Sequence, residues 1–173
     1  GIEPWMGDVH KYAQGGRSLK ELGAKARDAG LAVESAIGFA RRIVDDESQR
    51  KKGLEDARRD MQALKQLGGS RIAAPPVGAT RGKPLDLFQA AERYRKMLEV
   101  GESIGVVPQV EVWGFSRNLS RLGEALLVAV ESRHRNACLL PDVYHLYTGG
   151  DDFEGLRLLG RSAVHGCDIN AYP

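Results

Sequence analysis

Cysteine is nearly absent from this sequence, with 2 in 173 residues and no CxxC spacing, which excludes a disulfide-stapled mini-protein. Cys138 and Cys167 therefore read as small buried hydrophobes of a reducing compartment. No apolar run approaches the ~18–20 residues of a membrane span. The opening GIEPWMGD lacks the basic and then apolar regions of a signal peptide. A soluble, cytoplasmic protein is expected. Charge of one sign is missing too: 25 Lys and Arg against 23 Asp and Glu leave +2, too little to argue for a nucleic-acid or membrane surface. No Gly-x-Gly-x-x-Gly turn follows any apolar run, which removes the best mark of a dinucleotide fold. What remains is ordinary globular composition, 42% hydrophobic and 28% charged, in a length that fits one domain.

Along the chain, short apolar runs alternate with helical periodicities. Strands are expected over residues 1–5, 31–39, 71–76, 106–114, 137–143 and 163–170. Between them, helices are expected from the capping box at Ser18 and Glu21 to Gly30, and from Asp45 and Asp46 to Gly68. Three more follow, over 84–104, 119–132 and 155–159. The stretches after Trp5 and after Val143 read as Gly/Asp loops. The basic clusters Arg41-Arg42 and Arg50-Lys51-Lys52 read as a solvated loop and helix face. Asn118-Leu119-Ser120 fits a glycosylation sequon by chance.

Six strands alternating with five helices imply βαβ units and a parallel sheet. The carboxylates near the ends of several strands favour a (β/α)8 TIM barrel over an open doubly wound sheet. A full barrel needs about 250 residues. The expected architecture is therefore α/β, a single partial barrel over 1–173 with about six βα units. Unpaired strand edges would make such a chain prone to pair with a second copy, so a homo-oligomer is a possible state.

Side chains of a strand alternate in direction. If Val110 and Val112 face the helices, Glu111 and Trp113 point into the barrel. The same alternation sends Asp142 inward, with His145 just past its strand, and turns Asp168 inward while Cys167 and Ile169 face out. Glu3 is a fourth inward carboxylate. Acids crowded into a low-dielectric pocket must be protonated or neutralised by a cation. Oxygen ligands with one imidazole suit one divalent ion, Mn²⁺ or Mg²⁺. Such a site supports abstraction of a proton next to a carbonyl. Each strand-end acid also fits a loop cap or salt bridge, and Trp5 and Trp113 fit core packing as well as substrate contact. His10, His134 and His165 read as structural or exposed.

Several segments resemble a known family. They are LAVESAIGF from Leu31 with IVDD from Ile43, RIAAPPVGAT from Arg71, VPQVEVWGFSRNLSRLGEA from Val107, and LLPDVYHLYTGGDDFEGLRLL from Leu139. They are similar to the sugar phosphate isomerase/epimerase family, the xylose isomerase-like TIM barrels that include hydroxypyruvate isomerases, ketose 3-epimerases and inosose dehydratases. The resemblance implies that the strands are the second to seventh of eight. It also implies one divalent ion, with Co²⁺ or Zn²⁺ as alternatives to Mn²⁺ and Mg²⁺. By resemblance Glu111 is both metal ligand and acid/base carboxylate, Asp142 is a ligand, and His145 contacts a substrate hydroxyl. Asp168 stands at a ligand position where the family carries His, and Ala171 stands where it carries a carboxylate. The family's strand-eight Glu has no counterpart in residues 1–173.

The function these readings imply is a metal-dependent sugar or sugar-phosphate isomerase/epimerase, working by carboxylate proton transfer through a metal-stabilised enediolate. Its expected site is Glu111, Asp142 and Asp168 on the metal, with His145 and Trp113 on the substrate. The alternatives are a non-catalytic binding relative and a polyol dehydratase on the same barrel. A DNA-repair endonuclease would need a His-rich, multi-metal site, which 4 His and a charge of +2 argue against.

Overall fold

A computed structural model describes residues 1–169. The expected family ending at Asn170, Ala171, Tyr172 and Pro173 lies outside the described residues. At its centre, β1 (Arg71–Ala74), β2 (Val107–Glu111) and β3 (Leu139–Leu140) form a parallel sheet in chain order. Arg71 pairs with Val107 and Ala74 with Val110, and Val110 and Glu111 pair with Leu139 and Leu140.

The other three expected strands are shorter than the sequence suggests, and single parallel bridges hold them. Ile2 bridges Val33 and Trp5 bridges Ile37; Leu139 bridges Val164 and Asp142 bridges Asp168. The Ala73 amide donates to the Ala36 carbonyl at 2.8 Å, joining the second segment to β1. Six parallel segments thus lie side by side in chain order, the wall of an incomplete barrel.

Helices α1 (Met6–Gln14), α2 (Leu19–Asp28), α3 (Glu47–Leu67), α4 (Leu87–Ile104), α5 (Leu122–Glu131) and α6 (Val143–Gly149) are joined by a 3₁₀ turn over Glu154–Leu158. The expected caps form. Ser18 accepts from the Glu21 amide and Asp46 from the Gln49 amide, while Gly68 and Gly105 end their helices in the left-handed region at φ 95° and 80°.

Two expectations fail locally. The stretches after Trp5 and after Val143 are helical rather than loops. Nothing in MGDVHKYAQ caps α1; it is held by Met6 and Val9 in the core and by a 2.6 Å contact between His10 Nε2 and Asp60 on α3. Among the described residues, no helix is long and apolar enough to cross a membrane.

Two apolar cores flank the sheet. One packs α1, α2 and α3 against β1 through Met6, Met61, Leu64 and Ile72. The other packs α4 and α5 against β2 and β3 through Tyr94, Leu98, Val110, Val112, Val128 and Leu139. Tyr94 pins α4 to both strands: its hydroxyl donates to the Pro108 carbonyl at 2.7 Å and accepts from the Cys138 amide at 3.3 Å. Cys138 is buried as expected, whereas Cys167 is exposed; its segment is held by isolated bridges and packs against the core through Val164.

Candidate metal and substrate site

The valines at 110 and 112 lie in the helix-facing core, so alternation along β2 turns Glu111 to the other side. Glu111 is 7% exposed, and its Oε1 accepts from the Trp113 indole nitrogen at 2.8 Å. Asp142, 2% exposed, follows β3 and caps α6 by accepting from the His145 amide at 3.1 Å. One turn of helix therefore fixes His145 beside the carboxylate that starts it. Gly114 makes this approach possible, because a Cβ there would run into the His145 carbonyl oxygen and the Thr148 hydroxyl.

Ligand atoms of Glu111, Asp142 and His145 all lie within 4.8 Å of one another. Asp168, bridged to Asp142 along the backbone, makes its side-chain hydrogen bond with Glu3. Burial pushes Glu111 up to about 8, opposed by the Trp113 hydrogen bond and reinforced by the charges of Asp168, Asp142 and Glu3. Burial, the charges of Glu3 and Asp142, and the Glu3 hydrogen bond raise Asp168 to about 6. Burial lowers His145, against the opposing pull of Asp142.

Two buried polar atoms in this cluster, Glu3 Oε1 and His145 Nδ1, have no hydrogen-bond partner among the described residues. Unpaired donors and acceptors of this kind are costly. Together with the mutual repulsion of the acids, they are what a bound divalent cation would relieve. The residues present therefore fit a divalent ion held by carboxylates and one imidazole.

Aromatic rings cover the strand-end side of the cluster. Trp5 and Phe39 lie 5.4 Å apart, Phe39 and Trp113 6.2 Å, Trp113 and Phe115 5.2 Å, and Phe115 and His145 5.5 Å. Trp5 is 57% and Phe115 63% exposed, so this row is open rather than core, and Phe39 and Phe115 join it without having been singled out in the sequence. Phe115 follows an expected strand two residues after Trp113, and Phe39 ends the expected strand 31–39, which is the signal that marks them.

The loop bearing Trp113 and Phe115 is held from below. The Trp113 amide donates to the Leu119 carbonyl at 3.0 Å. Asn118 donates to the Ala79 carbonyl at 2.6 Å and accepts from the Leu85 amide at 2.8 Å. Its amide is 3% exposed and fully engaged, so the sequon residue is a strut.

Comparison with known proteins gives this geometry a context. A sequence model of the xylose isomerase-like TIM barrels matches residues 1–172. A 3-dehydro-D-guloside 4-epimerase of Escherichia coli (strain K12) is 24% identical over 175 residues, covering 90% of this chain and 66% of the relative. Among solved structures, a xylose isomerase-like TIM barrel/4-hydroxyphenylpyruvate dioxygenase fusion protein superposes with a TM-score of 0.86 at 16% identity, covering 100% of this chain and 28% of that one. The IolI protein, solved with a bound zinc atom, superposes with a TM-score of 0.84 at 17% identity, covering 99% and 64%. The chain thus spans just under two thirds of its curated relative, and the structural likenesses establish the fold.

Proposed function

The chain belongs to the xylose isomerase-like TIM barrel family, and on that premise we propose that it is a metal-dependent sugar or sugar-phosphate isomerase/epimerase. The observation that carries this reading is the meeting of Glu111, Asp142 and His145 within 4.8 Å, beside a row of aromatic rings and with His145 Nδ1 lacking a hydrogen-bond partner among the described residues. Glu111, Asp142 and Asp168 would hold the ion. When bound, the ion supplies positive charge for substrate oxygens and so favours the enediolate left after proton loss.

The remaining roles fall to the chain's own side chains. Glu111 moves the proton on the carbon next to the carbonyl. Its raised pKa suits it, because an acid/base group works best when it titrates near the operating pH. The Trp113 indole fixes the carboxyl's orientation through the 2.8 Å hydrogen bond. His145 orients a substrate hydroxyl, and Trp113 with Phe115 offers a flat apolar face to the C–H side of a sugar ring. The name of the E. coli relative places its inverted carbon beside a keto group, where a C–H is acidic enough for one carboxylate to remove its proton.

A second reading, a non-catalytic binding relative, is favoured by Asp168 hydrogen-bonding Glu3 rather than joining the three-residue cluster. Thermal unfolding of chelator-treated protein, with and without Mn²⁺ and followed by metal analysis, decides between them. A ligand that binds only the folded state raises the midpoint by mass action. An upward shift with about one ion per chain supports the enzyme, whereas a folded protein with neither shift nor metal gives the binding relative the lead.

A further inference from the structure

Charge of the opposite sign is buried where α3 meets α4. The expectation that Arg41-Arg42 forms a solvated loop fails at Arg42, which is 1% exposed. Its Nη2 donates to the Ala74 carbonyl at 2.8 Å, at the end of β1. Its Nε and Nη1 are buried with no hydrogen-bond partner among the described residues. The guanidinium sits 5.3 Å from the Tyr94 ring centre, and no carboxylate among the described residues pairs with it. Burial lowers its pKa to about 10, which leaves it charged at neutral pH.

Arg42 forms part of the wall of a cavity of about 200 Å³. The other charged walls are Arg50 and Lys51 on the first turns of α3, Arg93 and Lys96 on α4, and a single carboxylate, Glu47. Arg50 and Arg93 are spread along the rim by backbone carbonyls: Arg50 donates to Val44 and Asp45 at 3.0 and 2.8 Å, and Arg93 to Ile43 at 2.6 Å. Arg93 also pairs with Asp45 at 2.8 Å. Lys51 and Lys96 have no ion pair among the described residues. The positive end of the α3 dipole adds to the same field.

We propose that this cavity binds a phosphate group, free or as a monoester, at a site separate from the carboxylate cluster. A guanidinium offers a fork of N–H donors that matches phosphate oxygens, and the lining brings Arg42, Arg50 and Arg93 together with two lysines around one cavity. The space is several times the ~30 Å³ share of one water, so a lone buried water does not fill it. Arg42 at the wall admits only a small group, and a net charge of +2 offers no extended basic surface for a nucleic acid. None of Glu111, Asp142 or His145 lines the cavity, so the proposal stands independently of the isomerase reading.

The test is thermal unfolding of chelator-treated protein in inorganic phosphate, against sodium chloride of equal ionic strength, and then in glycerol 3-phosphate. The expected result is a midpoint that rises with phosphate and not with chloride. Lys51→Glu combined with Lys96→Glu, both on the surface, should weaken the apparent phosphate affinity at least tenfold, and Arg42→Met should abolish the response. Mn²⁺ binding should stay unchanged in the lysine double variant. A monoester that acts at lower concentration than inorganic phosphate supports an organic phosphate ligand, and equal action supports the free anion. The lysine pair keeps the test open should Arg42→Met fail to fold. No shift with either phosphate, or one of the same size in wild type and the lysine double variant, overturns the proposal.

Discussion

The molecule gathers like charges in two places and handles them differently. Inside the barrel, Glu3, Glu111, Asp142 and Asp168 crowd together, and protonation can relieve them: Glu111 rises to about 8 and Asp168 to about 6. Between α3 and α4, the cations include a guanidinium that stays protonated at about 10. It must instead be met by a backbone carbonyl, an aromatic face and, on the proposal above, an anion. The interior can exchange protons near neutral pH, which is what an acid/base site requires. The outer cluster cannot, which suits a binding site and not a catalytic one.

The largest expected effect breaks the interior side. Glu111→Gln keeps the shape and the Trp113 contact but removes the proton carrier, so turnover should fall by roughly 10²–10⁴-fold or more. Exchange of the substrate C–H with deuterium from solvent, followed by NMR, measures it directly. Retained exchange would sink the role given to Glu111. Asp142→Asn comes next. Asn caps a helix about as well as Asp, so α6 and the fold should hold, while Mn²⁺ affinity drops by about 10–100-fold. Calorimetric titration reads the loss, and phosphate binding at the outer cavity should not change. An Asn variant that binds Mn²⁺ as tightly as wild type would remove Asp142 from the ligand set.

The two regions also differ in how far the sequence discloses them. Glu111 and Asp142 could be picked out because strand alternation depends only on neighbours in the chain, and His145 because it stands just past the strand bearing Asp142; the structure brings the three together. The α6 helix was legible in principle, since Asp142 before the run and Gly150 after it are cap signals, with Gly150 at φ 81°. The glycines and aspartates that follow drew the reading towards a loop. Helix α1 had only Gly15-Gly16 to mark its end and no capping side chain at its start, and what holds it includes Asp60, 50 residues from His10. Arg42 was hidden for the same reason: its burial is set by Tyr94 and the Ala74 carbonyl, and a basic pair in a loop otherwise reads as solvated. Strand lengths at 1–5, 31–39 and 163–170 were overread, since apolar content marks burial and not the number of ladder bonds.

Gly114→Ala sharpens the contrast through the backbone. Its Cβ has no room beside the His145 carbonyl, so α6 must shift away from β2. Overpacking of this kind costs about 1–3 kcal/mol, or several degrees in the unfolding midpoint. Metal affinity should weaken with it, because the same shift moves Asp142, the N-cap of α6, while the phosphate response between α3 and α4 should persist. Loss of both responses together would show that the two regions are coupled through the sheet.

The smallest effect tests the outer region most directly. In phosphate-free buffer, Arg42→Met replaces a desolvated cation by an unbranched apolar chain that can lie against the same Tyr94 ring. The variant loses one hydrogen bond to the Ala74 carbonyl but also loses the burden of Nε and Nη1, which have no hydrogen-bond partner among the described residues. Exchanging a buried charge for an apolar side chain of similar volume is often near neutral. The midpoint should therefore move by no more than about 2–4 °C in either direction, the equivalent of roughly 1 kcal/mol for a chain of this size. Denaturant unfolding checks it by the midpoint at constant slope. A destabilisation of about 3 kcal/mol or more would mean that Arg42 is a strut for the end of β1. The outer charge would then be held by the fold itself, as the inner one is by protonation.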